Sequence, residues 1–291
     1  MKQRLSYALR LRLNLTAPPL HSVKISFIQP LRLFSAGVRK VDQKDAEKES
    51  ARERRAYWRK MYETQQDVFT LEDVNQNLAT HWKHLNLSTT ATNSPLPRVL
   101  VPCCGRDLSM PWMVERFGVA VVGVDFVGEP LRALAGEIGG GLKPIAEIRS
   151  SAPHLSTATA YQVNSLPQLI LIHGDLIHLQ APNDYGGLFD ACWDRAALTA
   201  VDPSLRALYV SKLFESLRPG GRLLLEFLSS NVQLEGGGVV SLDLVKELLE
   251  SAGFGDIKVL EKKDVRKDFP AFKPDGLKNL DEVVIVSMKR F

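Results

Sequence analysis

Four short apolar runs end in residues that can do chemistry. RVLVP (98–102) leads into Cys103, Cys104 and Gly105, and VAVVGVD (119–125) ends in Asp125. LILIH (169–173) leads into Gly174 and Asp175, and FDACW (189–193) leads into Asp194 and Arg195. Gly105 is the single glycine of the loop 102–112 (PCCGRDLSMPW), so the segment lacks G-x-G-x-x-G and carries no diphosphate fingerprint. A lone glycine still lets a ligand approach the backbone closely. Asp125 stands twenty residues past Gly105, where an acid accepts from ribose hydroxyls, though the same acid also suits a helix cap. Asp175 has two readings as well: an acceptor for an adenine amino group, or a turn residue after Gly174. Arg195 offers a fixed cation for a carboxylate or a developing thiolate; the plainer reading is an Asp194–Arg195 surface arrangement.

These residues need a scaffold that gathers strand ends. The runs at 98–102, 119–125, 169–173, 189–193 and 222–228 are continuous Val/Ile/Leu stretches, the pattern of strands buried on both faces. Helical patterns at 108–117, 129–138, 204–217 and 242–252 alternate with them, the last ending at Gly253. Pro219-Gly220-Gly221 reads as the turn that launches the fifth strand. Residues 256–262 and 282–289 follow each other without a long helix, which predicts an antiparallel edge hairpin. A further helix is expected around 71–85. The charge run 42–57 reads as a solvated helix or linker, and the Gly/Ser/Pro/Thr-rich segment 139–167 as an irregular excursion. The sum is an α/β fold with a seven-stranded, mostly parallel sheet, resembling the class I methyltransferase Rossmann-like sandwich. In such a sheet the ligand sits outside the carboxyl ends of the strands, where the four reactive segments fall.

Composition narrows the classes further. The chain has 291 residues, 45% hydrophobic and 24% charged, with net charge +4. Residues 1–41 hold eight Lys/Arg and no acid, so the remainder carries 29 basic against 33 acidic residues, a net of −4. A mildly acidic body argues against a nucleic-acid partner. The leader, rich in Arg, Leu and Ser, has transit-peptide composition, and Arg32-Leu33-Phe34-Ser35 resembles a mitochondrial processing site. The division expected is a basic leader at 1–41 and a single domain at 42–291, in the mitochondrion, with plastid and cytoplasm as alternatives. No run is long enough for a membrane span. Three cysteines give no disulfide framework and no zinc-site spacing, and His81 and His84, three apart as suits one helix face, have no evident third ligand.

PCCGRDLSMPW (102–112), VVGVD (121–125) and WDRAALTAVDP (193–203) together resemble the thiopurine S-methyltransferase family of class I S-adenosylmethionine-dependent methyltransferases. WRKMYETQQDVFTLEDVNQNL (58–78) is similar to that family's N-terminal segment through Trp58, Phe69, Asn75 and Leu78, and LEKKDV with GLKNLDEVV (260–284) to its C-terminal one. The resemblance implies S-adenosylmethionine as cofactor. Trp58 and Tyr62 would close a lid over it, Cys103 and Gly105 would supply backbone at its methionine end, and Asp125 would hold the ribose. Asp175 with Leu176 would flank the adenine, Arg195 would lie near the methionine carboxylate and the acceptor, and Phe69 would line the acceptor pocket. The implied reaction is methyl transfer to a small thiol or thiopurine-like acceptor by a monomer. Halide, thiocyanate, and selenium or tellurium compounds are the alternative acceptors, and a non-catalytic cofactor-binding protein is the remote one.

Departures bear on the acceptor. Tyr62 and Thr70 replace a Trp and a His of the family pattern, and the loop expected to carry prolines reads Glu235-Gly236-Gly237-Gly238. Arg266 and Lys273 are the candidates for a second acceptor-side cation. No Asn/Asp-Pro-Pro-Tyr motif follows the fourth strand, which counts against amine methylation.

Overall fold

The computed structural model describes residues 43–64, 70–87, 95–148, 157–232, 238–269 and 274–290. Five parallel strands form the centre: β1 (Arg98–Pro102), β2 (Ala120–Asp125), β5 (Leu166–His173), β6 (Phe189–Arg195) and β7 (Leu217–Ser230). Two antiparallel pairs extend it, β3 (Leu142–Ile148) with β4 (Ala158–Val163) on one side and β8 (Phe254–Asp264) with β9 (Leu280–Lys289) on the other. The order is β3-β4-β5-β2-β1-β6-β7-β9-β8.

Helices cover both faces. On one, α2 (Gln76–His81), α3 (Ser109–Phe117) and α4 (Gly128–Glu137) bury Leu78, Met110, Met113, Leu131 and Leu134. On the other, α6 (Arg206–Ser216) and α7 (Leu242–Ala252), with the short α5 (Ala197–Ala200) before them, bury Tyr209, Leu213, Val245 and Leu249. Continuous apolar strands are what two covered faces demand. The N-terminal α1 (Gln43–Glu63) leans over the carboxyl ends of the strands through Trp58 and Tyr62.

The expected α/β class and antiparallel edge hairpin are present, and three expectations are corrected. The sheet has nine strands, not seven, because 139–167 holds β3 and β4 instead of an irregular excursion. β4 buries Ala158 and Ala160 on alternate positions and Val163 after a register shift, but two of these are alanines, too small to announce a strand. Edge strand β3 is exposed over Pro144–Glu147, so it has no apolar pattern to read. The helix expected over 71–85 is shorter, starting at Gln76 and tightening into a 3-10 turn at Trp82–Leu85. Asn75 sets that start, its side-chain oxygen accepting from the Leu78 N–H at 2.8 Å. Strand β6 runs two residues past Trp193, so Asp194 and Arg195 belong to the strand itself. No described helix is long and apolar enough to cross a membrane.

Candidate active site

Strand order reverses at β1. From there the chain builds outward through β2 and β5 on one side, and through β6 and β7 on the other. The loops leaving β1 and β6 therefore part and open a crevice at their carboxyl ends. A cleft of about 890 Å³, counting its part open to solvent, lies there. A second hollow of about 450 Å³ adjoins it, sharing Tyr62, Cys103 and Arg195 with the first and adding Thr70 and Leu71.

The floor begins with the turn after β1. Cys103 and Gly105 both take left-handed backbone, φ 45° and 50°. At Cys103 that conformation is strained, which suits a site more than a plain connection. At Gly105 a side chain would also collide: a Cβ would lie 2.7 Å from the Tyr62 hydroxyl. The turn is tied to β2, since the Gly105 N–H donates to Asp125 Oδ2 at 2.9 Å and the Cys104 N–H donates to the Val124 carbonyl at 3.0 Å. The Val127 N–H donates to Asp125 Oδ1 at 2.8 Å. Asp125 is thus both the expected cleft acid and a local cap. Both of its oxygens accept from backbone N–H groups and keep capacity for further donors. Burial pushes its carboxyl up to about 6, against the downward pull of those backbone donors.

The adjacent cysteines part to opposite faces of the sheet. Cys103 lines the cleft and packs beside the core under α6, whereas Cys104 is buried in the core under α3. Burial raises both thiols well above their ordinary value, so neither is primed as a nucleophile.

Asp175 is the turn residue after Gly174, and it also stands in the cleft. Its Oδ1 accepts from the Ile177 N–H at 3.2 Å, capping a 3-10 turn at Leu176–His178, while Asp175 and Leu176 line the cleft. Arg54 of α1 reaches it, Nη2 standing 3.8 Å from Asp175 Oδ2. Arg54, Trp58 and Tyr62 recur at four-residue spacing, so one face of α1 presents all three to the cleft. That spacing was a legible signal for Arg54, which no motif marked. The charge run is the helix expected of it, with Arg54 turned to the cleft.

At the β6 end the surface arrangement of Asp194 with Arg195 is overturned. Asp194 is fully buried; the Tyr209 hydroxyl donates to its Oδ2 at 2.6 Å and the Ala197 N–H to its Oδ1 at 3.0 Å. Burial raises its carboxyl to about 7. Asp194 holds the left-handed turn at Ala196 (φ 58°), and that turn aims Arg195 into the cleft. The acid partner of Arg195 is Glu226 on β7, with Nε 3.3 Å from Oε1.

Among the other candidates, Thr70 lines the second hollow. Arg266 is exposed, bonded to Asp264 and to the Lys278 carbonyl, and lines neither hollow. Phe69, Lys273 and Glu235–Gly237 lie outside the described residues, as does the basic leader. No cluster of three or more His, Cys, Asp or Glu suited to a metal ion exists among the described residues.

The cleft therefore brings together the carboxylates of Asp125 and Asp175, the guanidinium groups of Arg54 and Arg195 and the aromatic rings of Trp58 and Tyr62. That donor set suits an elongated ligand with hydroxyls, a flat base and an anionic end, as S-adenosylmethionine has. Comparison with known proteins agrees. The family profile described as thiopurine S-methyltransferase (TPMT) matches residues 53–290. The thiopurine S-methyltransferase of Pseudomonas fluorescens (strain SBW25) is 32% identical over 235 residues, 78% of this chain and 95% of that one. The thiopurine S-methyltransferase of Pseudomonas putida (strain GB-1) is 31% identical over 231 residues, 79% of this chain and 96% of that one. Among solved structures, the Burkholderia thailandensis 1,6-didemethyltoxoflavin-N1-methyltransferase with bound S-adenosylhomocysteine shares the fold. It aligns at TM-score 0.54 and 17% identity, covering 91% of this chain and all (100%) of that one. The chain belongs to the thiopurine S-methyltransferase family of class I, S-adenosylmethionine-dependent methyltransferases.

Proposed function

We propose that this methyltransferase acts on sulfur, moving the methyl group to a small thiol or thiopurine-like acceptor by in-line displacement. The observation that carries the reading is the convergence of Asp125, Asp175, Cys103 and Arg195 beneath Trp58 and Tyr62 in one cleft, with a second hollow sharing Arg195. When bound, S-adenosylmethionine supplies a methyl group on a cationic sulfonium, open to attack by a soft nucleophile. Asp125 accepts from its ribose hydroxyls. Asp175 and Leu176 flank its adenine, and the backbone of Cys103 and Gly105 borders its methionine end. Trp58 and Tyr62 cover it and exclude water, which favours a step in which charge is cancelled.

The acceptor enters through the second hollow, bordered by Thr70, with Phe69 on the same segment. Among the described residues lining the two hollows there is no histidine and no lysine. A thiol needs neither. Its ordinary pKa, about 8.5, lies close enough to neutrality that a nearby guanidinium supplies thiolate. Arg195 would hold the acceptor sulfur as thiolate, its proton already passed to solvent, in line with the methyl group that S-adenosylmethionine would supply on leaving as S-adenosylhomocysteine. Holding three atoms in line is the larger part of the acceleration.

A panel of thiols, thiopurines, iodide and thiocyanate assayed with methyl-labelled S-adenosylmethionine tests the reading. Label on thiol sulfur is the expected result. Label on iodide or thiocyanate alone would replace it with the halide or thiocyanate reading, and no acceptor at all with a cofactor-binding role. We also propose a mitochondrial address, supported by the eight basic residues and absent acids of 1–41. A reporter carrying those residues should reach mitochondria; a diffuse cytosolic signal would overturn that address.

A further inference from the structure

One acid interrupts the apolar strand RLLLEFL at 222–228, and it is buried. Glu226 stands opposite Arg195 in the register of β6 against β7. A buried carboxylate must be paired or hydrogen-bonded, or it takes up a proton. Glu226 has Arg195 Nε at 3.3 Å, Asn75 Nδ2 at 3.1 and 3.0 Å from its two oxygens, and Asn77 Nδ2 at 2.9 Å. Asn77 also donates to Glu282 at 3.1 Å. Asn75 is itself buried, caps α2, and donates its backbone N–H to Ser109 Oγ at 3.2 Å.

Glu226 lines neither hollow, whereas Arg195 lines both. The carboxylate therefore stands behind the guanidinium as seen from a ligand. It also ties Arg195 to the segment that carries Thr70 and Leu71 into the second hollow and then becomes α2. An arginine side chain is long and rotamer-rich, and one that must meet a ligand at a fixed place gains from a carboxylate that limits it.

We propose that Glu226 is a positioning residue for methyl transfer: it fixes the Arg195 guanidinium between the two hollows and registers the 70–77 segment against it. This rests on the reading of Arg195 as the cation at the methionine and acceptor ends. Glu226 takes no proton from the acceptor and touches no reacting atom.

The test uses the full chain, Glu226→Gln, Arg195→Lys and the double variant, with Glu226→Asp as a charge-retaining control. Two readouts are taken. The first, water exchange of the Arg195 Nε–H proton by NMR, requires no turnover. It should quicken about tenfold in Glu226→Gln, which removes the negative charge 3.3 Å from that nitrogen, and by less in Glu226→Asp. The second is kcat/KM for the acceptor, which should fall about tenfold in Glu226→Gln and no further when that change is added to Arg195→Lys. Exchange unchanged within about twofold, or losses that multiply in the double variant, would overturn the proposal. A wild-type chain that methylates no acceptor would overturn the reading of function instead. The exchange readout would then decide the Glu226 proposal by itself.

Discussion

Asp125 and Asp194 stand near the carboxyl ends of the two strands that flank β1, and they do opposite work. Both are buried, and burial raises both carboxyls, to about 6 and about 7. Asp125 accepts on both oxygens from backbone N–H groups and still borders the cleft. Asp194 turns away from the cleft and spends its oxygens on Tyr209 and Ala197. The first acid is therefore available to a ligand, and the second to the fold, holding the turn that aims its neighbour Arg195. Position at a strand end does not make an acid functional; whether its carboxylate borders the cleft does.

The sharpest way to break the contrast is Asp194→Ala. It leaves a buried tyrosine hydroxyl and a buried backbone N–H without an acceptor, which should lower unfolding free energy by about 3 kcal/mol in a urea titration. A loss under about 1 kcal/mol would show that Asp194 is not committed to the fold. A smaller effect is expected at the Asp125 end from Gly105→Ala. Left-handed backbone on an alanine and the collision with Tyr62 together should weaken S-adenosylhomocysteine about tenfold. Affinity equal to wild type would mean that the turn does not border the ligand.

A pH titration separates the acids more finely. Hydroxyls that donate to Asp125 favour its ionised form, so binding should be strongest above about pH 6 and weaken as pH falls through that value. The loss approaches about tenfold per pH unit at the acid end. Asp125→Asn should flatten this dependence, and Asp194→Asn should leave it in place. The reverse pattern would exchange the roles assigned to the two acids.

Much of this was legible in the residues. The five central strands and most of the flanking helices announce themselves as apolar runs and helical periodicity, and the cleft acids stand where the runs end. Strands β3 and β4 did not, because an exposed edge in β3 and small alanines in β4 carry no burial pattern. The pairing of Arg195 was also hidden. Its sequence neighbour is Asp194, but alternation along a strand turns adjacent side chains to opposite faces. Its actual partner, Glu226, lies thirty-one residues on and becomes a neighbour only through the register of β6 with β7. Glu226 did leave one mark, a lone acid inside an otherwise apolar strand. Arg54 left another, its four-residue spacing from Trp58.

The account's central claim is that the cleft at the β1, β2 and β6 strand ends holds S-adenosylmethionine through Asp125. Calorimetric titration of S-adenosylhomocysteine into the full chain and into Asp125→Ala tests it most directly. Two hydrogen bonds to a charged acceptor are at stake, so the variant should bind about a hundredfold more weakly than wild type while still unfolding cooperatively. Equal affinity in the two proteins would contradict the claim.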